Sequence, residues 1–64
     1  QEQVKMLREF AQRIADAAAA YARRFGRPPT VALVNEAQVC EVEGIAVRSE
    51  GYIRKDIVWV GENQ

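Results

Sequence analysis

Few side chains in this 64-residue sequence could carry out chemistry. It has no histidine, one cysteine (Cys40) and one serine (Ser49). Zinc sites are usually built from histidine and cysteine, and serine or cysteine nucleophiles need a neighbouring base, most often histidine. The four glycines are isolated and none precedes a predicted helix, so no phosphate-binding loop is present. We therefore predict a non-enzymatic protein with no catalytic residue, no metal and no cofactor.

The tightest cluster of like charge consists of Arg23, Arg24 and Arg27. Such a cluster could contact an anion or an acidic partner, and nucleic-acid binding through it is the alternative function that we weigh. The formal net charge of the chain is zero, which does not favour a polyanion partner. Arginines at this place are also explained by the negative end of a helix macrodipole.

Two acidic residues and the cysteine lie in a segment with a β-type pattern. Glu41 and Glu43 are two residues apart and, on one face of a strand, could form a carboxylate pair or a weak cation site. Solvated acids at a strand end are the commoner explanation. Cys40 is expected to be a small apolar core residue.

The element that must position these residues is a long helix, predicted over about residues 3–25. Between Val4 and Phe25 the apolar residues recur at spacings of three and four, which is typical of an amphipathic helix. Gly26 and the following proline pair, Pro28 and Pro29, indicate its end.

Short β-type segments follow. We predict strands at about 30–34, 39–42, 45–48 and 57–60, with a hairpin at Glu43-Gly44 and a polar tail from Gly61 to the end. The run 30–34 is apolar on both faces, so we expect it near the sheet centre. Residues 35–38 are too few for a second helix. The fold class is α+β: one long N-terminal helix packed on a three- to four-stranded, mainly antiparallel sheet, in a single small domain spanning 1–64.

Two features predict self-association. A helix of about 22 residues is roughly 33 Å long, whereas a compact chain of this size is about 28 Å across. One helix covers one face of a sheet, but the strands carry apolar residues on both: Ile57 and Trp59 point opposite to Val58 and Val60, and Val31 and Leu33 opposite to Ala32 and Val34. We expect a homo-oligomer, most simply a dimer, or another protein partner. The candidate interface residues are Ala17, Ala20, Tyr52 and Trp59.

Charge is unevenly distributed along the chain. Residues 1–29 hold six basic and three acidic side chains, and the remainder holds three basic and six acidic ones. This asymmetry suits packing of the helix on the sheet or head-to-tail contacts between chains. No apolar stretch approaches the roughly 20 residues of a membrane span, so we predict a soluble, cytoplasmic protein with no membrane partner.

One resemblance to a family was considered. The helix followed by Pro-Pro-Thr-Val-Ala-Leu-Val-Asn, then Gly44-Ile45-Ala46-Val47 and Ile57-Val58-Trp59-Val60-Gly61, resembles the shell-forming domain of tailed-phage capsid proteins. The resemblance covers about half of the chain in motifs of low specificity, and the chain is far shorter than such domains. It therefore implies no residue role and no activity.

Overall fold

The computed structural model describes residues 2–62, apart from the side chain of Gln3. Helix α1 spans Glu2–Phe25, strand β1 Val31–Val34, a single 3₁₀ turn Glu36–Gln38, strand β2 Ala46–Ser49 and strand β3 Trp59–Gly61. The predicted α+β class is confirmed, with one long helix on a three-stranded sheet. Of the predicted polar tail, Asn63 and Gln64 lie outside the described residues.

Helix α1 ends where the sequence predicts. Gly26 takes a left-handed conformation with φ 79°, which glycine adopts without the steric cost of a side chain. Its N–H donates to the carbonyl oxygen of Ala22 at 2.8 Å. Arg23 and Arg24 lie in the last turn, where cations interact favourably with the free carbonyl groups.

The sheet has the strand order β2-β1-β3, so β1 is central as predicted. Strand β1 pairs in parallel with β2, Val31 opposite Ala46 through Val34 opposite Ser49. It pairs antiparallel with β3, Val31 opposite Gly61 through Leu33 opposite Trp59. The sheet is therefore mixed, not mainly antiparallel.

The predicted strand at 39–42 is not formed, and the hairpin is reduced to its turn. Val42 and Ile45 make an isolated antiparallel bridge, with Gly44 at φ 81° between them. Cys40 and Val42 pack against the core instead of pairing along a strand. The following residues join the edge of β1 in parallel, which gives them four paired positions in place of a two-residue hairpin.

The core lies between α1 and one face of the sheet. Its buried side chains are Phe10 and Ile14 from the helix and Ala32 and Val34 from β1. Half-buried side chains around it come from the connection between β1 and β2 and from the outer strands: Cys40, Val42, Ile45, Val47, Val58 and Val60. Both α1 and this connection therefore cover the same face of the sheet.

Two polar clusters fix α1 at the two ends of the sheet. At one end, Asp56 Oδ1 lies 3.8 Å from an Arg13 guanidinium nitrogen, and Asp56 also accepts from and donates to the side-chain amide of Gln38 at 2.9 and 2.7 Å. At the other end, Glu62 accepts hydrogen bonds from Tyr21 at 2.8 Å and from Arg27 at 2.9 Å. Both ion pairs join a cation of the basic first part of the chain to an acid of the second part.

This arrangement corrects the predicted tail. Gly61 belongs to β3 and is buried, and Glu62 binds the end of the helix segment.

The helix sets the longest dimension of the molecule. Twenty-four helical residues span about 36 Å, and the extents of the chain are 36 × 22 × 16 Å. Val4 and Met6 near one end of α1 and Phe25 at the other end are 51–61% exposed. The helix thus extends beyond the small sheet at both ends.

Ile14→Val tests the core. Ile14 is fully buried, so loss of one methylene should lower the free energy of unfolding by about 0.5–1.5 kcal/mol. The matched control is Ile57→Val, because Ile57 is 52% exposed and the same change there should stay within about 0.5 kcal/mol. Urea denaturation of both variants measures the difference. Equal effects would contradict the assigned core.

Candidate interaction surface

The candidate functional surface is the sheet face turned away from α1, called here the open face. Side chains alternate along a strand, and Ala32, Val34, Val47 and Val60 point toward the helix core. Their strand neighbours must point the other way. The open face consists of Val31, Leu33, Ala46, Arg48, Trp59 and Gly61, of which Val31 and Gly61 are buried and Leu33 is half-buried.

The pairing register arranges these residues in two rows across the sheet. One row is Ala46, Val31, Gly61, and the other is Arg48, Leu33, Trp59. Neighbouring strands are about 4.8 Å apart, so Arg48 and Trp59 flank Leu33 at similar distances on opposite sides. A cationic and an aromatic residue therefore lie on the two strands that flank the aliphatic Leu33.

Trp59 lies along its own strand and over Gly61. A methyl group built at Gly61 would lie 2.8 Å from Trp59 Cζ3 and 2.9 Å from Cζ2, closer than carbon atoms approach one another. Gly61 is buried, whereas Trp59 remains 50% exposed. Glycine thus provides the space that the six-membered ring of Trp59 occupies, while half of the side-chain surface stays exposed.

The other predicted interface residues lie elsewhere. Ala17 is half-buried and Ala20 exposed, both on α1 and therefore in the other layer. Tyr52 lies in the connection between β2 and β3 and is 72% exposed. Of the four candidates, only Trp59 belongs to the open face.

The arginine cluster is exposed at the end of α1, but two of its members have intramolecular contacts. The guanidinium carbon of Arg24 lies 5.5 Å from the ring centroid of Phe25. Arg27 Nε lies 2.8 Å from Glu62 Oε1. This ion pair offsets part of the positive charge that the sequence places here.

The contacts of Glu62 shift two pKa values in opposite directions. The hydrogen bond from Tyr21, together with the hydrogen bond and charge of Arg27, holds the pKa of Glu62 below its ordinary value against the opposing effect of burial. The same hydrogen bond, with a contribution from burial, raises the pKa of Tyr21. The protonated phenol and the ionised carboxylate are therefore the favoured pair in the folded chain.

The remaining residues singled out in the sequence show no arrangement for chemistry. Glu41 and Glu43 are both exposed, and within residues 2–62 no group of three or more His, Cys, Asp or Glu side chains could hold a metal ion. Cys40 is half-buried against the core, and burial raises the pKa of its thiol. It is a packing residue, as expected.

A groove of about 410 Å³ lies between the first half of α1 and the two connections that follow β1 and β2. Phe10 forms part of its wall, and Arg13, Gln38 and Asp56 lie at its polar side. Arg13 and Gln38 each already contact Asp56. The groove is therefore lined by the polar cluster that fixes the helix.

No protein-family model, curated protein or solved structure matches the chain in the three comparisons made with known proteins. The capsid-domain resemblance accordingly gains no support. Among the described residues, no helix has the length and apolar character needed to cross a membrane.

Of the six residues of the open face, only Trp59 was among the candidate interface residues from the sequence. Alternation along each strand separates the two faces, and that signal places Leu33 and Trp59 together. It does not give the register between strands, which is what places Arg48 and Trp59 on either side of Leu33.

Gly61→Ala tests the position of the indole. The added methyl group would force the ring off the sheet, so we expect a shift of the Trp59 fluorescence maximum toward longer wavelength as the ring becomes more hydrated. Gly51→Ala is the matched control, because nothing lies within 4 Å of a methyl group there. An unchanged spectrum for Gly61→Ala would contradict the stacked arrangement.

The Glu62 contacts predict how stability depends on pH. Because the folded-state pKa of Glu62 is lowered, its contribution is complete above the ordinary glutamate pKa and is lost as pH falls through the folded value. The raised pKa of Tyr21 adds stability that is lost as pH rises through its folded value.

Glu62→Gln should therefore flatten the acid side of a plot of Tm against pH. The exposed Glu41→Gln is the control and should keep the wild-type slope. If both variants keep that slope, Glu62 does not make the assigned contacts.

Proposed function

We propose that this chain is a small non-enzymatic assembly or protein-interaction module that self-associates through the open face. The observation that supports the proposal is the half-exposed Trp59, whose ring lies against Gly61 on the sheet face turned away from the α1 core. Aromatic side chains held in one orientation lose little entropy on binding and are enriched among the residues that dominate interface energies.

The division of the molecule into two layers supports this proposal. Burial of apolar surface contributes about 25 cal/mol per Å², and in this chain α1 and the connection after β1 supply it on one face only. On the open face Val31 and Gly61 are already buried, and the exposed part of Trp59 can gain the same stabilisation from another molecule. The centre of the open face is apolar and Arg48 lies at its edge, which is the usual division between the core and rim of an interface.

The size of the open face predicts weak association. Strand spacing and rise give it about 14 Å by 13 Å, and two such faces bury less than the roughly 1,200–2,000 Å² of stable complexes. A pairwise Kd of roughly 0.1–1 mM is what we expect from an interface of this size. Contacts of this strength become effective when several copies are held close together.

The non-enzymatic part of the proposal is based on the residue inventory. The sequence has no histidine, and the polar clusters described at the two ends of the sheet join the helix to the strands. Each of their side chains has a structural role that explains its position.

A nucleic-acid-binding or regulatory module that uses the basic helix end remains the alternative. Arg23, Arg24 and Arg27 are exposed there, which is its only support. The ion pair of Arg27 with Glu62 and the stacking of Arg24 on Phe25 reduce the charge and freedom available to a phosphate. We therefore favour self-association.

Sedimentation equilibrium over about 10 µM to 1 mM protein tests the proposal, since that range brackets the expected Kd. The apparent mass should rise with concentration. Trp59→Ser should abolish the rise, because it removes the largest apolar group of the open face. Tyr52→Ser is the control: Tyr52 is an exposed aromatic residue outside that face and its loss should leave the curve unchanged. A strict monomer at 1 mM would refute self-association.

A further inference from the structure

The row Arg48, Leu33, Trp59 is complementary to itself. Arg48 and Trp59 lie on the two outer strands, at equal distances from Leu33 on the central strand. A guanidinium group stacks favourably on the face of an indole. When a second copy of the row is turned so that its ends are exchanged, each Arg48 faces the strand whose Trp59 ring lies over Gly61, and Leu33 meets its counterpart.

We propose that a second copy of this chain occupies the open face, packed about a two-fold axis that runs parallel to the strands. Arg48 of each copy stacks on Trp59 of the other, and the two Leu33 side chains meet at the centre. This arrangement rests on the proposed self-association and specifies its partner and its geometry.

Symmetry limits the alternatives. Sheets that pack face to face in the aligned class keep their strands within about 30° of each other, and a closed dimer uses the same patch on both copies. Two axes in the plane between the sheets satisfy these conditions: one along the strands and one across them. The axis across the strands places Arg48 on Arg48 and Trp59 on Trp59, so that two like charges are brought together in an interface.

The contacts within one chain leave the outward side of the indole open to such a partner. Among the described residues, the cations placed over aromatic rings are Arg13 over Phe10 and Arg24 over Phe25. Gly61 receives the inward side of the Trp59 ring. Arg48 is exposed on its edge strand, so stacking on the second copy does not require breaking the sheet.

Charge exchange tests the geometry. Arg48→Glu should weaken self-association about tenfold, because two cation–π contacts are lost. Trp59→Arg should weaken it by at least as much, because Arg48 then meets a second arginine. The double variant R48E/W59R should associate more strongly than either single variant, since each new glutamate meets a new arginine. If the dimer axis instead ran across the strands, the double variant would pair glutamate with glutamate and arginine with arginine. It would then associate no more strongly than the single variants.

Arg8→Glu is the matched control for charge. Arg8 is exposed on α1, in the layer remote from the open face, and its reversal changes the net charge as Arg48→Glu does. It should leave the association constant unchanged. Far-UV circular dichroism and thermal unfolding establish that each variant is folded before its mass is measured by sedimentation equilibrium.

A second measurement on the unmodified chain covers the case in which a Trp59 variant does not fold. In a mixture of isotope-labelled and unlabelled protein, isotope-filtered NMR detects contacts between copies only. Contacts from the Arg48 side chain to the Trp59 indole support the proposal.

If wild-type protein associates but these contacts are absent, the geometry is wrong while self-association stands. The same holds if the double variant associates no more strongly than the single variants. If wild-type protein does not associate at all, both fail.

Discussion

The packing of Phe10 and Ile14 on Ala32 and Val34 is the interaction on which the rest of this structure depends. In this 64-residue chain one helix packs against three short strands, and it covers a single face of the sheet. The mixed sheet follows from the same constraint. The connection after β1 packs its apolar residues against that core and then delivers β2 in parallel to the edge of β1. The opposite face is left with an apolar centre.

The two ends of the sheet show how polar side chains fix this arrangement. Asp56 takes a left-handed backbone conformation with φ 67°, which aspartate tolerates better than most residues, and its side chain bonds to Gln38 and Arg13. Glu62 receives Tyr21 and Arg27 at the other end. Exposed ion pairs each contribute little, but both clusters set the position of α1 along the strands. Basic residues of the first part of the chain thus pair with acidic residues of the second part within one molecule.

The sequence predicts those features that depend on local pattern. The spacing from Val4 to Phe25 and the stop at Gly26 predict α1, and the unbroken apolar run of β1 predicts its central position; the structure has both. The prediction of a strand at 39–42 is wrong. Valines beside a Glu-Gly turn indicate an extended chain, but they do not show whether that chain pairs with another strand or packs on the core. The register is also beyond local pattern, because it depends on contacts between residues distant in sequence. Only that register brings Leu33, Arg48 and Gly61 together with Trp59 on the open face.

We propose that the open face, and not the helix, contacts a second copy. The most direct measurement is a dilution series of uniformly labelled wild-type protein followed by NMR. We expect the signals of the Trp59 indole N–H, the Leu33 methyl groups and the Arg48 amide to shift together with concentration. The signals of Ala20 and Arg8 on the outer side of α1 should not shift. Concentration-dependent shifts confined to α1, or to the groove beside Arg13, would contradict it.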